Sequence, residues 1–133
     1  MNDSTIRHFL KRDDRLRSRK AIDILFAEGK SFSDFPFRIL WRSDNEEGGL
    51  KAGFTASSKN FKKATDRNRI KRLIRESYRL QKNELQNIIN LSCKSLHVFF
   101  IYTGKELPDH EIVFKKTGII LKRLIKQMSG NTE

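Results

Sequence analysis

Cysteine, proline and glycine are scarce in this chain: its 133 residues include one Cys, two Pro and seven Gly. The single thiol, Cys93, has no partner for an internal disulfide, and no Cys/His cluster has the spacing of a zinc site. A disulfide scaffold and a zinc module are both excluded. Long apolar runs are missing as well. The stretch Val98-Phe99-Phe100-Ile101 has the length of a strand, far short of the roughly 20 residues of a membrane-spanning helix. Met1 to Thr5 hold no cationic segment followed by an apolar one, so the expectation is no secretory signal and a reducing, cytoplasmic setting. Acidic residues are the minority charge, 16 Asp and Glu against 28 Lys and Arg. What the chain does have is phenylalanine, ten residues within a hydrophobic fraction of 37%. That is enough for one packed core in a single domain over residues 1–133, and it argues against a disordered tail protein. The formal net charge of +12 and a pI near 10.1 point to a polyanionic partner and away from a membrane.

The charge is unevenly placed. Residues 59–82 carry ten positive and two negative side chains, a net +8 out of the total of +12. Residues 115–126 add five positive and no negative ones, and residues 1–20 add a net +4. Residues 21–58 and 83–114 are each net −2. A basic surface serving solubility alone would be spread more evenly. Like charges on one helix repel and cost stability unless an anion neutralises them. Residues 1–14 read as a flexible basic tail and residues 129–133 as a flexible C-terminus.

Periodicity outlines the elements. Residues 15–29 suit a short amphipathic helix with Ser18 as cap and Gly29 at a C′ position of positive φ; Leu16 to Arg19 also fit an extended segment. Phe35 to Arg42 alternate as a strand with Phe37, Ile39 and Trp41 on one face and Arg38, Leu40 and Arg42 on the other. Asn45 to Gly49 read as a turn and Leu50 to Ala56 as the returning strand of a hairpin, with a short strand near Ser31-Phe32 ahead of it. Thr65 or Asp66 can cap a long helix from about Arg67 to Ile89, whose Ile70, Leu73, Ile74, Ser77 and Tyr78 share one arc. His97 to Tyr102 is a buried strand, and Asp109 caps a last helix carrying Val113, Ile120, Leu121, Leu124, Ile125 and Met128 at three- and four-residue steps. The order implies an α+β sandwich of helices on one sheet.

The informative string runs from Lys59 to Arg79. On a helical wheel Arg67, Lys71 and Arg75 stack along one edge, with Asn68, Arg72 and Arg79 beside them and Arg69 and Glu76 on the far side. The guanidinium fork matches phosphate with two parallel hydrogen bonds and its plane stacks on bases. Asn68 adds a donor and an acceptor suited to a 2′-OH or a base edge. Cations in the first turn oppose the helix dipole, a conflict that marks function. Lys59, Lys62 and Lys63 fit loop charges as well as specific RNA contacts.

This string resembles the basic signature of the bacterial ribonuclease P protein family, Arg-Asn-Arg followed by Lys-Arg and Arg-Glu, here Arg67-Asn68-Arg69, Lys71-Arg72 and Arg75-Glu76. The resemblance extends to Gly53-Phe54-Thr55-Ala56 and Lys59-Asn60 upstream, to Tyr78-Arg79-Leu80 downstream, and to Arg15-Leu16, Phe26 and Gly29 near the start. It implies a two-layer αβββαβα sandwich, as in a ribosomal protein domain, with a left-handed βαβ crossover. It also implies a subunit of an endoribonuclease whose partners are a catalytic RNA and precursor tRNA, with no obligate protein partner. The RNA would remove the 5′ leader with magnesium held mainly on its own phosphates, and no organic cofactor. Carried over, RNA binding falls to Lys59, Lys62, Lys63, Arg67, Asn68, Arg69, Lys71, Arg72, Arg75 and Arg79. A leader-binding cleft between the first helix and the sheet falls to Ile22, Phe26, Arg38, Leu40 and Lys51. Two positions depart from the family pattern: Ile22 stands where many relatives have a second Phe, and Leu40 where an aromatic often sits. Phe26 fits core packing as well as base stacking, while Phe37, Phe54, Phe99 and Phe100 read as core.

The residues themselves offer no catalytic centre. His8, His97 and His110 have no partner at recognisable spacing, Asp13-Asp14 and Glu46-Glu47 are adjacent carboxylates in loops, and Ser57-Ser58 has no associated base. No phosphate-binding loop or nucleophile elbow occurs. Two other classes fit the basic helix: a structural RNA-binding protein of ribosomal type with no role in tRNA processing, and a DNA-binding protein using the helix in a major groove.

Overall fold

The computed structural model describes residues 15–45, 48–92 and 94–129. The tail expected over residues 1–14, the residues from 130 to 133, Glu46, Glu47 and Cys93 lie outside the described residues, and with them His8 and Asp13-Asp14. Along the chain come α1 (Arg19–Glu28), β1 (Lys30–Asp34), β2 (Phe37–Asp44), β3 (Gly49–Ala56), α2 (Ala64–Gln81), α3 (Asn83–Ser92), β4 (Ser95–Tyr102) and α4 (His110–Met128). The α+β class and the αβββαβα order stand, with α3 as an addition.

The four strands lie in the order β1-β2-β4-β3. β1 pairs with β2 and β2 with β4 antiparallel, while β3 runs parallel to β4. The hairpin expected from residues 45–49 therefore does not form, because β4 separates β2 from β3. The reason lies in β4 itself. Leu96, Val98, Phe100 and Tyr102 point into the main core, and Phe99 and Ile101 pack on the other face. A strand apolar on both faces belongs in the middle of a sheet. The hairpin that does form joins β1 and β2 through the cis Phe35-Pro36 turn.

Strand alternation assigns the helices to the two faces. Phe37, Ile39 and Trp41 of β2 join β3, β4, α2, α3 and α4 in one large core. Leu40 faces the other way and packs with Leu16 and Leu25, so α1 lies on the opposite face from the other three helices. That second face is only partly covered.

The helix ends show which local signals governed. The Ser18 side chain accepts from the backbone N–H of Ala21, capping α1, and Asp109 accepts from that of Glu111, capping α4. Leu16 takes the extended alternative, its N–H donating to the Ala52 carbonyl at 2.8 Å. Gly29 has φ −75° rather than a positive value. It is needed for room, since a Cβ there would lie 2.5 Å from the Leu25 carbonyl oxygen. α2 begins earlier than Thr65 or Asp66 would place it: Lys63 is its cap residue and supplies no side-chain bond. The long helix expected to reach Ile89 is broken at Lys82, and α3 continues from Asn83.

Candidate nucleic-acid interface

α2 is held to the sheet by an aliphatic and aromatic side. Ile70, Ile74 and Tyr78 are fully buried, and Leu73 packs against the same core. This fixes the outward direction of the remaining residues. Asn68, Arg69 and Arg72 are exposed, and Lys71 and Arg75 are half-buried. Among the described residues, no ion pair involves Arg69, Lys71, Arg72 or Arg75. Asn68, Lys71, Arg72 and Arg75 line an open groove of about 420 Å³ together with Phe54. The Phe54 ring stacks on Phe100 at 5.6 Å and meets Tyr78 edge-on at 5.5 Å, so its position is set by the core while one side reaches the groove. Unpaired cations around an aromatic floor can neutralise phosphates and offer a surface to an unstacked base.

Two expected contacts have partners within the chain. Arg67 donates from one guanidinium nitrogen to the carbonyls of Phe61 at 2.7 Å and Lys62 at 2.9 Å. It ties down the loop before α2, which stands in for the missing side-chain cap. Arg79 grips the Glu76 carboxylate, with its shortest bond at 2.8 Å. The hydrogen bond from Arg79 holds the Glu76 carboxyl below the usual range, against partial burial that pushes it up. Lys59, Lys62 and Lys63 are exposed on the loop. The loop is shaped by Ser57, whose hydroxyl accepts from the N–H of Lys59, and by Asn60, whose side-chain amide donates to the Thr103 and Gly104 carbonyls at 3.3 Å. Phe61 anchors it in the core beside Tyr102, 6.0 Å between rings.

The expected cleft residues lie on the other face of the sheet, so the candidate residues form two separate surfaces. Leu40 is buried beneath α1, and Ile22 packs against the same small cluster. Leu40 thus belongs to the floor, while Ile22 is half-buried on α1. Phe26 is 53% exposed and projects over the open part of the face, and Arg38 is exposed there as well. Phe99, expected in the core, is half-buried on this face and meets Phe26 edge-on at 5.4 Å. Its ring covers Gly53, where a Cβ would fall 2.4 Å from Phe99 Cε1. An aromatic pair therefore exists where the sequence suggested one ring. The available signal was the Gly in β3 opposite a Phe in β4, legible only once the pairing is known. Lys51, His97 and Arg42 are cross-strand neighbours in one row of the same face.

No three His, Cys, Asp or Glu side chains cluster as a metal site among the described residues. No helix among them is long and apolar enough to cross a membrane.

Fold and surface together define a basic α+β domain with a cation-lined helix on one face of its sheet and a half-open face on the other. The ribonuclease P family model matches residues 10–125. The chain is 32% identical over 124 residues to the ribonuclease P protein component of Porphyromonas gingivalis, covering 92% of this chain and 88% of that one. It is 30% identical over 127 residues to that of Chlorobium phaeobacteroides, covering 86% of this chain and 87% of that one. Among solved structures, the RNase P protein from Thermotoga maritima superposes with a TM-score of 0.64 at 32% identity, over 82% of this chain and 96% of that one. The Staphylococcus aureus RNase P protein, at 20% identity and a TM-score of 0.65, shares the fold over 84% of this chain and 94% of that one. This chain belongs to the ribonuclease P protein family and is by that membership a subunit of ribonuclease P.

Proposed function

We propose that the α2 stripe binds the catalytic RNA of ribonuclease P and that the α1 side of the sheet receives the single-stranded 5′ leader of precursor tRNA. The observation that carries this reading is the set Asn68, Arg69, Lys71, Arg72 and Arg75, directed outward by a buried helix side and outside any ion pair among the described residues. Duplex and folded RNA present dense backbone phosphate, which suits a broad stripe of cations. A leader is unpaired, and its bases can stack on the half-open face at Phe26 and Phe99. The chemistry, magnesium-dependent hydrolysis of a phosphodiester, belongs in this reading to the RNA. The protein lowers repulsion between RNA phosphates, so less magnesium is needed, and it holds the substrate in register.

Reconstitution with the cognate catalytic RNA at low magnesium tests this. The protein should raise leader cleavage and precursor-tRNA affinity, and should favour substrates with a leader over mature tRNA. No effect on either quantity refutes the proposal. Firm association with ribosomal RNA, with no change in tRNA processing, would instead fit the structural RNA-binding alternative.

A further inference from the structure

On the α1 side of the sheet lies a pocket of about 200 Å³, lined by neither ring of the aromatic pair and by no residue of the α2 groove. Arg15, Arg17, Lys51 and His97 line it, with Leu16 and Ala21 forming its apolar wall. Three parts of the chain converge there. The bridge between Arg15 and Ala52 fixes the segment before α1 against the β3 edge, and Lys51 and His97 are paired neighbours on β3 and β4. The Ser18 hydroxyl accepts from the Ala21 N–H and keeps its own O–H as a donor toward the pocket. The pocket therefore offers cations, one titratable imidazole and one hydroxyl donor.

We infer that this pocket is a phosphate subsite for the RNA strand crossing the α1 face, and that His97 takes up a proton when the phosphate binds. The inference rests on the reading of that face as the leader surface. It goes further by assigning a position, a chemical group and a proton to the contact.

The groups around His97 set the direction of the effect. Burial, then the Lys51 ammonium on β3, hold the imidazole below its ordinary range; Asp44 on β2 opposes this, and Arg42 on β2 adds to it. Arg15 and Arg17 add positive charge from the segment before α1. Glu28 of α1 lies 3.8 Å from Arg42 and offsets that cation. In the free protein the surroundings thus favour the neutral imidazole. A phosphodiester stays anionic across this range and favours the imidazolium, so the His97 pKa rises on binding. Linkage then requires proton uptake, and affinity must increase as pH falls from the bound-state pKa toward the free-state one. A neighbouring carboxylate in place of His97 would give repulsion, and a Lys would give attraction with no pH dependence in this range.

The test follows the His97 imidazole by NMR through a pH titration of the full-length protein, alone and with a single-stranded leader oligonucleotide. The His97 pKa should rise on binding, and the affinity should be roughly three- to tenfold tighter at about pH 6 than at about pH 8. His97→Gln should flatten that profile, and Lys51→Gln should weaken binding at every pH. Binding that perturbs Phe26 and Phe99 but leaves the His97 pKa in place overturns this inference alone. A strand that perturbs neither aromatic overturns the leader reading beneath it. A His97 shift produced by inorganic phosphate but not by the oligonucleotide assigns the pocket to a free anion and also overturns the proposal.

Discussion

Gly53 has no side chain, and the Phe99 ring occupies the room that this leaves. Gly53→Ala should lift the ring off the sheet and out of its edge contact with Phe26. Overpacking costs about 1–3 kcal/mol in a closed core, and the half-exposed ring places this change near the lower limit. Leader affinity should fall more than denaturant stability does, and equal losses in both would remove Phe99 from the binding surface. Glu76 gives a second prediction at this scale. Its carboxyl is held low by Arg79, so it contributes stability that is present above the usual carboxylate range and is lost as pH falls through its folded pKa. Glu76→Gln should therefore flatten the acid limb of the stability profile, and an unchanged limb would show that the pair contributes nothing. The side chain is 47% exposed, so the effect is small. Single residues were only partly legible in sequence. The cations of α2 were, because charge and helical spacing are explicit. Phe99 was not, because a Phe in an apolar run carries no mark of the face it takes, and Arg67 was not, because its carbonyl partners depend on the loop conformation.

At the level of the element, α2 separates two kinds of cation. Arg72→Gln should lower the slope of log affinity for the catalytic RNA against log salt by about 0.7–0.9, the share of one neutralised phosphate, with stability unchanged. Arg67→Gln should destabilise the domain by roughly 1–2 kcal/mol through removal of two charge-assisted bonds, visible in denaturant melts without RNA. A salt slope unaffected by Arg72→Gln would place that side chain away from RNA. Helix starts were readable where a side-chain oxygen does the capping, at Ser18 and Asp109. They were misplaced at α2, where the loop is secured from inside the helix by Arg67. The α2–α3 break leaves no Gly or Pro behind. Lys82 is buried at the junction with its ammonium bonded to Gln86, and the Lys82 carbonyl still accepts from the Gln86 N–H. The chain thus passes through a helix break that local sequence does not announce.

At the scale of the whole molecule, β4 contributes to both cores and touches both neighbouring strands. Phe100→Ala, at a fully buried ring in contact with Phe37, Phe54 and Tyr78, should cost about 3–5 kcal/mol. RNA affinity on the α2 side should fall with it, since Phe54 loses its support. Retained stability would contradict the packing described. The class of fold was legible because each strand and helix carries its own period. The strand order was not, because adjacency in sequence favours the β2–β3 hairpin, and only the two-sided apolar character of β4 argues otherwise. That order bears on synthesis. The strand that joins β2 to β3 is the last of the four to leave the ribosome, so neither surface has a backbone to rest on until Tyr102 has emerged. A product terminated before β4 lacks the strand that ties β2 to β3, and limited proteolysis should cut it far faster than the full chain.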